Sequence, residues 1–332
     1  MQRKNTPLIV WLFTLTFLVI LMVIVGGVTR LTDSGLSMVE WKPLLGIIPP
    51  LSEKDWMEVF EKYKLYPQFQ NVNFHMTLKE FKSIFFWEYL HRFLGRFIAI
   101  IFLLPYFFLN SKKKIPTSYK KPLLFAFLLG GIQAIVGWWM VKSGLIDNPR
   151  VSHYRLMIHL LIALSILSIF IWILTDALGL SFKKTVFSAR KHLILFLHLL
   201  LLQIIYGAFM AGTRAGYLFN TFPKMGPSWI PDGLWAQSNL FLNFINNPVM
   251  IHFIHRILAF IILFYTFFLW FKGKKNSSLF LILFLLVVFQ ILLGIKVVIL
   301  SVPISIAAIH QLTGVLIWSL TISLIKQNKK AS

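Results

Sequence analysis

The 332-residue chain contains no cysteine. That absence excludes disulfide scaffolds, thiolate zinc sites, iron-sulfur clusters, CxxCH heme attachment and cysteine nucleophiles. Any bound metal would have to be held by His, carboxylate or Met. Acids are also scarce, 11 against 33 basic residues, and charged residues make up 13% of the chain, about half the share usual in soluble domains. A water-soluble fold of this length would have nowhere to place 33 Phe and 11 Trp. What the sequence does have is long apolar runs: 58% of its residues are hydrophobic and its mean hydropathy is +0.76. These values predict an all-α integral membrane protein. The net charge of +22 would suggest nucleic acid in a soluble protein, so its distribution decides its meaning.

A helix needs about 20 apolar residues to cross a bilayer. Eight stretches qualify, near 8–28, 85–109, 122–141, 157–175, 192–211, 249–271, 279–300 and 304–325. The first is too long for a secretory signal peptide and has no small-residue cleavage site, so it is read as a span. With both termini cytoplasmic, the inner segments hold Arg3, Lys4, Lys112 to Lys114, Lys120, Lys121, Lys183, Lys184, Arg190, Lys191, Lys272, Lys274, Lys275, Lys326, Lys329 and Lys330. These 17 basic residues face one acid, Asp176, and the positive-inside rule gives the orientation. The charge therefore reads as topology, and no nucleic-acid partner is expected. Two outer loops are long, about 29–84 and 212–248. The first carries seven acids, seven basic residues, Pro49-Pro50, Trp41 and Trp56. Its stretch after Ser52 has helical spacing and an N-cap serine, which predicts a small folded cap.

The two halves repeat. Thr29-Arg30 matches Thr213-Arg214, His91-Arg92-Phe93-Leu94 matches His255-Arg256-Ile257-Leu258, Gln133-x3-Gly137 matches Gln290-x3-Gly294, and His159 matches His310. The sequence predicts two tandem four-helix bundles, 1–176 and 177–332. An even number of spans per half makes them parallel repeats about an axis along the membrane normal. Arginine and histidine lie 61 residues apart in the first half and 41 in the second, so the first loop carries about 20 extra.

Ionisable residues inside spans are costly and mark functional interiors. His75 and His153 fall in outer loops, and His192 and His198 near the inner end of the fifth span suit interfacial or structural roles. His91, His159, His255 and His310 differ: one lies in each even-numbered span, a few residues below the outer surface. A lone intramembrane histidine is more often a packing residue, but four at repeat-equivalent positions favour two pairs of axial ligands, one heme iron per half. Zinc or copper would normally recruit carboxylates or thiolates, which three of the four positions lack. Arg30, Arg92, Arg96, Arg155, Arg214 and Arg256 lie at similar depth, suited to heme propionates or equally to lipid headgroups. Gly26-Gly27, Gly95, Gly130-Gly131, Gly137, Gly207 and Gly294 permit close helix approach or room for a porphyrin.

The repeat breaks three residues before each His-Arg pair, where the second span has Glu88 and the sixth has His252. Glu88 is the single acid inside any of the eight stretches. One helical turn from His91, it could move a proton or stabilise developing positive charge. The bland alternative is a salt bridge to Arg92 or another arginine. The asymmetry suggests chemistry in the first half and a permanent cofactor in the second.

The segments 26–41 (GGVTRLTDSGLSMVEW), 88–92 (EYLHR), 151–160 (VSHYRLMIHL) and 214–225 (RAGYLFNTFPKM), with His255-Arg256 and His310-Gln311, resemble the heme A synthase family in its mitochondrial and alphaproteobacterial form. The resemblance spans nearly the whole chain. It implies oxidation of the C8 methyl of heme O to the formyl group of heme A, used by cytochrome oxidase. It implies that His255 and His310 ligate a resident heme b, that His91 and His159 hold the substrate heme, and that Glu88 is catalytic. It also implies delivery of substrate by heme O synthase, an electron acceptor outside this chain and a place in the cell inner membrane, with the heme sites toward the outer face. A homo-oligomer is left open. Some members carry a cysteine pair in the first outer loop, and a route for electrons through such a pair cannot operate here. From the residues alone, a b-type membrane cytochrome that leaves its hemes unaltered and a heme transporter stay open as alternatives.

Overall fold

The computed structural model describes residues 5–40, 48–146, 149–180, 189–273 and 278–328. Arg3, Lys4, Trp41, Lys183, Lys184, Lys274, Lys275, Lys329 and Lys330 lie outside them. Among the described residues the regular structure is helical, with one isolated bridge between Met225 and Ser228. The helices are α1 (Thr6–Leu31), α2 (Glu53–Lys64), α3 (Pro67–Asn71), α4 (Leu78–Ser111), α5 (Thr117–Lys142) and α6 (His153–Ala177). They continue with α7 (Ala189–Thr213), α8 (Leu240–Asn246), α9 (Pro248–Gly273), α10 (Ser278–Ile299) and α11 (Ile304–Gln327). Eight of them, all but α2, α3 and α8, are long and apolar enough to cross a membrane, and each coincides with a span expected from the sequence.

The helices overrun the apolar runs because backbone hydrogen bonding continues where hydropathy stops. α4 begins seven residues before the expected span. Its N-cap Thr77 and Glu80 form a reciprocal capping box, satisfying donors that a helix start would otherwise leave open, and Phe81 and Phe85 in its first turns are buried. His153, expected in a loop, is the first residue of α6.

The chain divides into two compact units, one of Thr14–Ile166 and one of Met1–Phe13 with Leu167–Ser332, so the divisions fall inside α1 and α6. In the first unit α1 and α4 meet where Thr29 Oγ1 donates to the Trp87 carbonyl at 3.2 Å. α4 meets α5 through stacked Phe102 and Phe127, and α5 meets α6 where Arg155 donates to the Trp139 carbonyl at 2.6 Å. In the second unit α7 packs on α9, α9 on α10, α10 on α11 and α11 on α7, a closed ring of four. The C-terminal part of α6 joins this unit: Trp318 Nε1 donates to Ser168 Oγ at 2.9 Å, and Lys326 of α11 pairs with Asp176. His192 and His198 take structural roles there, bonded to the Tyr265 hydroxyl and the Ile194 carbonyl.

The described residues of the first long loop fold into the expected cap. α2 starts at Ser52 with a capping box to Asp55, whose carboxyl is held below the ordinary range mainly by the Ser52 backbone N–H. Phe60 and Tyr63 of α2 pack on Phe81 and Phe85 of α4. A polar chain then ties this cap to the end of α1: Asn73 Nδ2 donates to the Tyr63 hydroxyl, the hydroxyl to Gln68 Oε1, and Gln68 Nε2 to the Asp33 carbonyl. Burial pushes the Tyr63 phenol up to about 12, so it stays a donor throughout the physiological range. Tyr63→Phe orphans a buried acceptor and a donor at once, a loss of about 1–3 kcal/mol. Limited proteolysis is expected to cut the variant's 50–75 segment faster while leaving the apolar helices intact.

The second long loop is also built, which its sequence did not announce. Buried Asn243 exchanges bonds with the backbone of Gln237. Buried Asn247 donates to the Gly233 and Leu234 carbonyls and accepts from Val249 N.

Candidate functional site

His91 and His159 come together in the first unit, with ring centroids 6.4 Å apart. Two imidazoles at that separation are within reach of one shared metal, given metal–nitrogen bonds of about 2 Å. Each lies against a glycine of the neighbouring helix. A Cβ added at Gly26 would come within 3.1 Å of His91 Nε2, and one at Gly137 within 3.0 Å of His159 Cε1. The same construction recurs in the second unit, where Gly207 lies against His255 and Gly294 against His310, at 3.5 and 3.1 Å. These four glycines, which the sequence offered for close helix approach or as room for a porphyrin, are the floor beside the four imidazoles. Gly294→Ala is therefore expected to displace His310 and weaken heme retention, whereas Gly207→Ala, an ordinary van der Waals contact, retains it. Heme per protein, measured by absorbance after purification, compares the two.

One turn above His91, Glu88 is 2% exposed. Its Oε2 accepts from Ser37 Oγ at 2.7 Å and from Met38 N at 2.8 Å, and its Oε1 accepts from Arg92 at 2.5 Å. The salt bridge to Arg92, the bland alternative from the sequence, is thus present. The decisive spacing is i,i+4 to Arg92 as well as i−3 to His91. Ser37 and Met38 were not singled out as partners, because they reach Glu88 across some fifty residues of chain.

Arg92 also donates to the Met38 and Glu40 carbonyls at 2.9 and 3.2 Å, so it clips the returning outer segment onto α4. Arg256 repeats the device. It donates to His252 Nε2 at 3.0 Å, one turn back on α9, and to the Lys224 and Phe219 carbonyls at 3.1 and 3.2 Å. Buried His252 is therefore the counterpart of Glu88 in partner as well as position. Arg30 pairs with Asp33 at 3.2 Å. Arg214 lies just past α7 with left-handed backbone, φ 57°.

The second unit adds residues that the sequence showed only as repeat markers or not at all. Gln203 of α7 approaches His255 Nε2 at 3.3 Å, and Gln290 of α10 approaches His310 Nε2 at 3.3 Å. His310 Nδ1 lies 3.1 Å from the Gln290 carbonyl.

The profile of the family described as cytochrome oxidase assembly protein matches residues 9–322. A heme A synthase of Nitrosospira multiformis is 42% identical over 324 residues, covering 94% of this chain and 91% of the relative. A heme A synthase of Parvibaculum lavamentivorans is 41% identical over 315 residues, 93% and 92% of the two chains. One from Wolbachia pipientis of Culex pipiens is 40% identical over 311 residues, 92% and 93%. The chain belongs to the heme A synthase family.

For a heme A synthase family member, heme must be accommodated, and the side chains fit it. Each unit offers two half-buried imidazoles on different helices. Glycines leave space beside the rings, and the Nδ1 atoms of His159 and His255 are buried without a hydrogen-bond partner. Buried polar atoms are seldom left so, and an imidazole that ligates through Nε2 keeps Nδ1 available for an outer partner. No cysteine is present to compete as a ligand.

Proposed function

We propose that this chain is a heme A synthase, oxidising the C8 methyl of heme O to the formyl group of heme A. The observation that carries the reading is the asymmetry between two like-built imidazole pairs: the Arg that follows one of them holds a carboxylate, and the Arg that follows the other holds an imidazole. The half of residues 1–176 is read as the substrate half, with His91 and His159 on the iron of heme O. The half of residues 177–332 is read as the cofactor half, where His255 and His310 would hold a heme b that supplies one-electron chemistry.

Converting a methyl group to a formyl group with oxygen taken from water releases four protons and four electrons. The electrons leave to an acceptor outside this chain. Positive charge that develops at the methyl carbon favours a fixed negative charge nearby, and Glu88 supplies one in a site of low dielectric. Both of its oxygens are already engaged by Ser37, Met38 and Arg92. Such pre-organisation serves electrostatic stabilisation more directly than free proton transfer. The cap and the 34–40 segment cover this end of α4 and keep water from the charge. Propionates of the two hemes are assigned to Arg30, Arg92, Arg214 and Arg256. Arg92 and Arg256 have fewer donors to spare, because carbonyls take some of their N–H groups.

The four apolar helices per half leave both ends of the chain on one side, read as cytoplasmic, in the inner membrane, with both heme sites toward the outer face. Heme O is the substrate, and heme O synthase is its proposed source. Expressing the chain with a heme O source and analysing the extracted pigment by mass tests the function. Heme A or its alcohol precursor is expected. Unchanged heme O would return the protein to the class of electron carrier or transporter.

A further inference from the structure

The two imidazole pairs differ in what their ring nitrogens touch. His310 Nδ1 lies 3.1 Å from the Gln290 carbonyl. A carbonyl can only accept, so Nδ1 carries the proton, and the Nε2 of the neutral ring is an acceptor. The side-chain amide of the same Gln290, 3.3 Å from that Nε2, must then present its N–H. The amide of Gln203 lies 3.2 Å from the His255 carbonyl and 3.3 Å from His255 Nε2 through one atom. That atom donates to a carbonyl, so it is nitrogen, and His255 Nε2 is an acceptor too. Both rings are therefore in the tautomer whose Nε2 lone pair is available to a metal, and in both an amide N–H occupies that lone pair. The amide oxygens of Gln203 and Gln290 are buried without a partner.

Among the described residues His91 and His159 have no such donor. Among the described residues no hydrogen bond joins Gln133, the repeat counterpart of Gln290, to His159, whose Nδ1 is unpartnered as that of His255 is. Gln203 has no counterpart at all: the Thr-Arg registration places Val19 at its position.

We propose that Gln203 and Gln290 are placeholder residues. They satisfy the Nε2 lone pairs of His255 and His310 whenever no metal holds them, keep the rings in the ligating tautomer, and give way when heme iron takes Nε2. The proposal rests on the assignment of the resident heme to His255 and His310. It follows the different duties of the halves. A cofactor site is filled once and must survive empty until then, so a donor that stabilises the empty state suits it. A substrate site is refilled at every turnover, and a donor that has to be displaced each time would slow it.

The test uses full-length protein carrying His91→Ala and His159→Ala, prepared heme-depleted and titrated with hemin, with the Soret band as readout. Gln290→Leu removes the competing donor. Hemin is expected to bind about fivefold more tightly, as loss of one buried hydrogen bond predicts, while the melting temperature falls for the empty protein and not for the loaded one. Gln290→Glu replaces the donor with an acceptor, which draws the proton onto Nε2, and is expected to weaken binding. Gln203→Leu and Gln203→Glu repeat the contrast at His255. A residue that only fills space would shift binding in the same direction with Leu and with Glu, and that result overturns the placeholder role while leaving the heme assignment standing. Absence of any Soret band before the glutamines are touched would remove the heme assignment and the proposal with it.

Discussion

Glu88→Ala is expected to abolish formation of heme A while the resident heme spectrum survives. The carboxylate is the acceptor for Ser37, Met38 and Arg92, so its removal has two consequences that a second variant separates. Truncation leaves Arg92, whose side chain is 12% exposed, without its anionic partner, and breaking a buried pair costs about 3–5 kcal/mol. Glu88→Gln keeps the volume and one acceptor oxygen but removes the charge. If the charge acts on the reacting carbon, both variants lose turnover by at least about 100-fold, the lower end for a positioned catalytic group. If Glu88 serves only to clip the outer segment to α4, Glu88→Gln retains most of the activity and Glu88→Ala loses stability first. Heme O conversion per bound heme, measured beside thermal stability, tells the two apart. Conversion by Glu88→Ala at the wild-type rate removes the catalytic assignment.

His255→Ala or His310→Ala is expected to remove the heme spectrum from protein made without heme O, because the chain would then hold no complete ligand pair for its cofactor. His91→Ala made in the same way is expected to keep the spectrum and to lose conversion when heme O is supplied. The effect is expected to be large, since His255 and His310 would be the side chains that hold the group. Loss of the resident spectrum from His91→Ala, with retention in His255→Ala, reverses the two halves. The hydrogen bonding of the rings also differs between the two pairs: Gln203 and Gln290 attend His255 and His310, and no glutamine attends His91 or His159 among the described residues.

The membrane helices were legible because hydropathy is a local property that survives averaging over a window of residues. The cap helix after Ser52 was legible for a similar reason, its N-cap and apolar spacing lying within one short stretch. The four histidines stood out because an imidazole in an apolar span is conspicuous and a repeat quadruples the signal. What the sequence withheld was pairwise and long-range. Ser37 and Met38 sit in a loop of ordinary composition, and their bond to Glu88 exists only after the chain has turned back on itself. α8 is seven residues long and is fixed by Asn243 and Asn247 bonding to backbone, a pattern with no periodicity to detect. Gln203 lay in an apolar span without a repeat partner, so nothing distinguished it from a tolerated polar residue.

Arg92 and Arg256 hold their outer segments by main-chain carbonyls: Met38 and Glu40 in one case, Phe219 and Lys224 in the other. Every residue carries a carbonyl, so such an anchor is indifferent to side-chain identity. The segment beyond such an anchor can differ in length and composition without disturbing the helix beneath it. One arginine sits under α2 and α3 and the other under α8, yet both hold the chain by the same kind of contact. In this chain the helix that carries the site and the segment that covers it are separable.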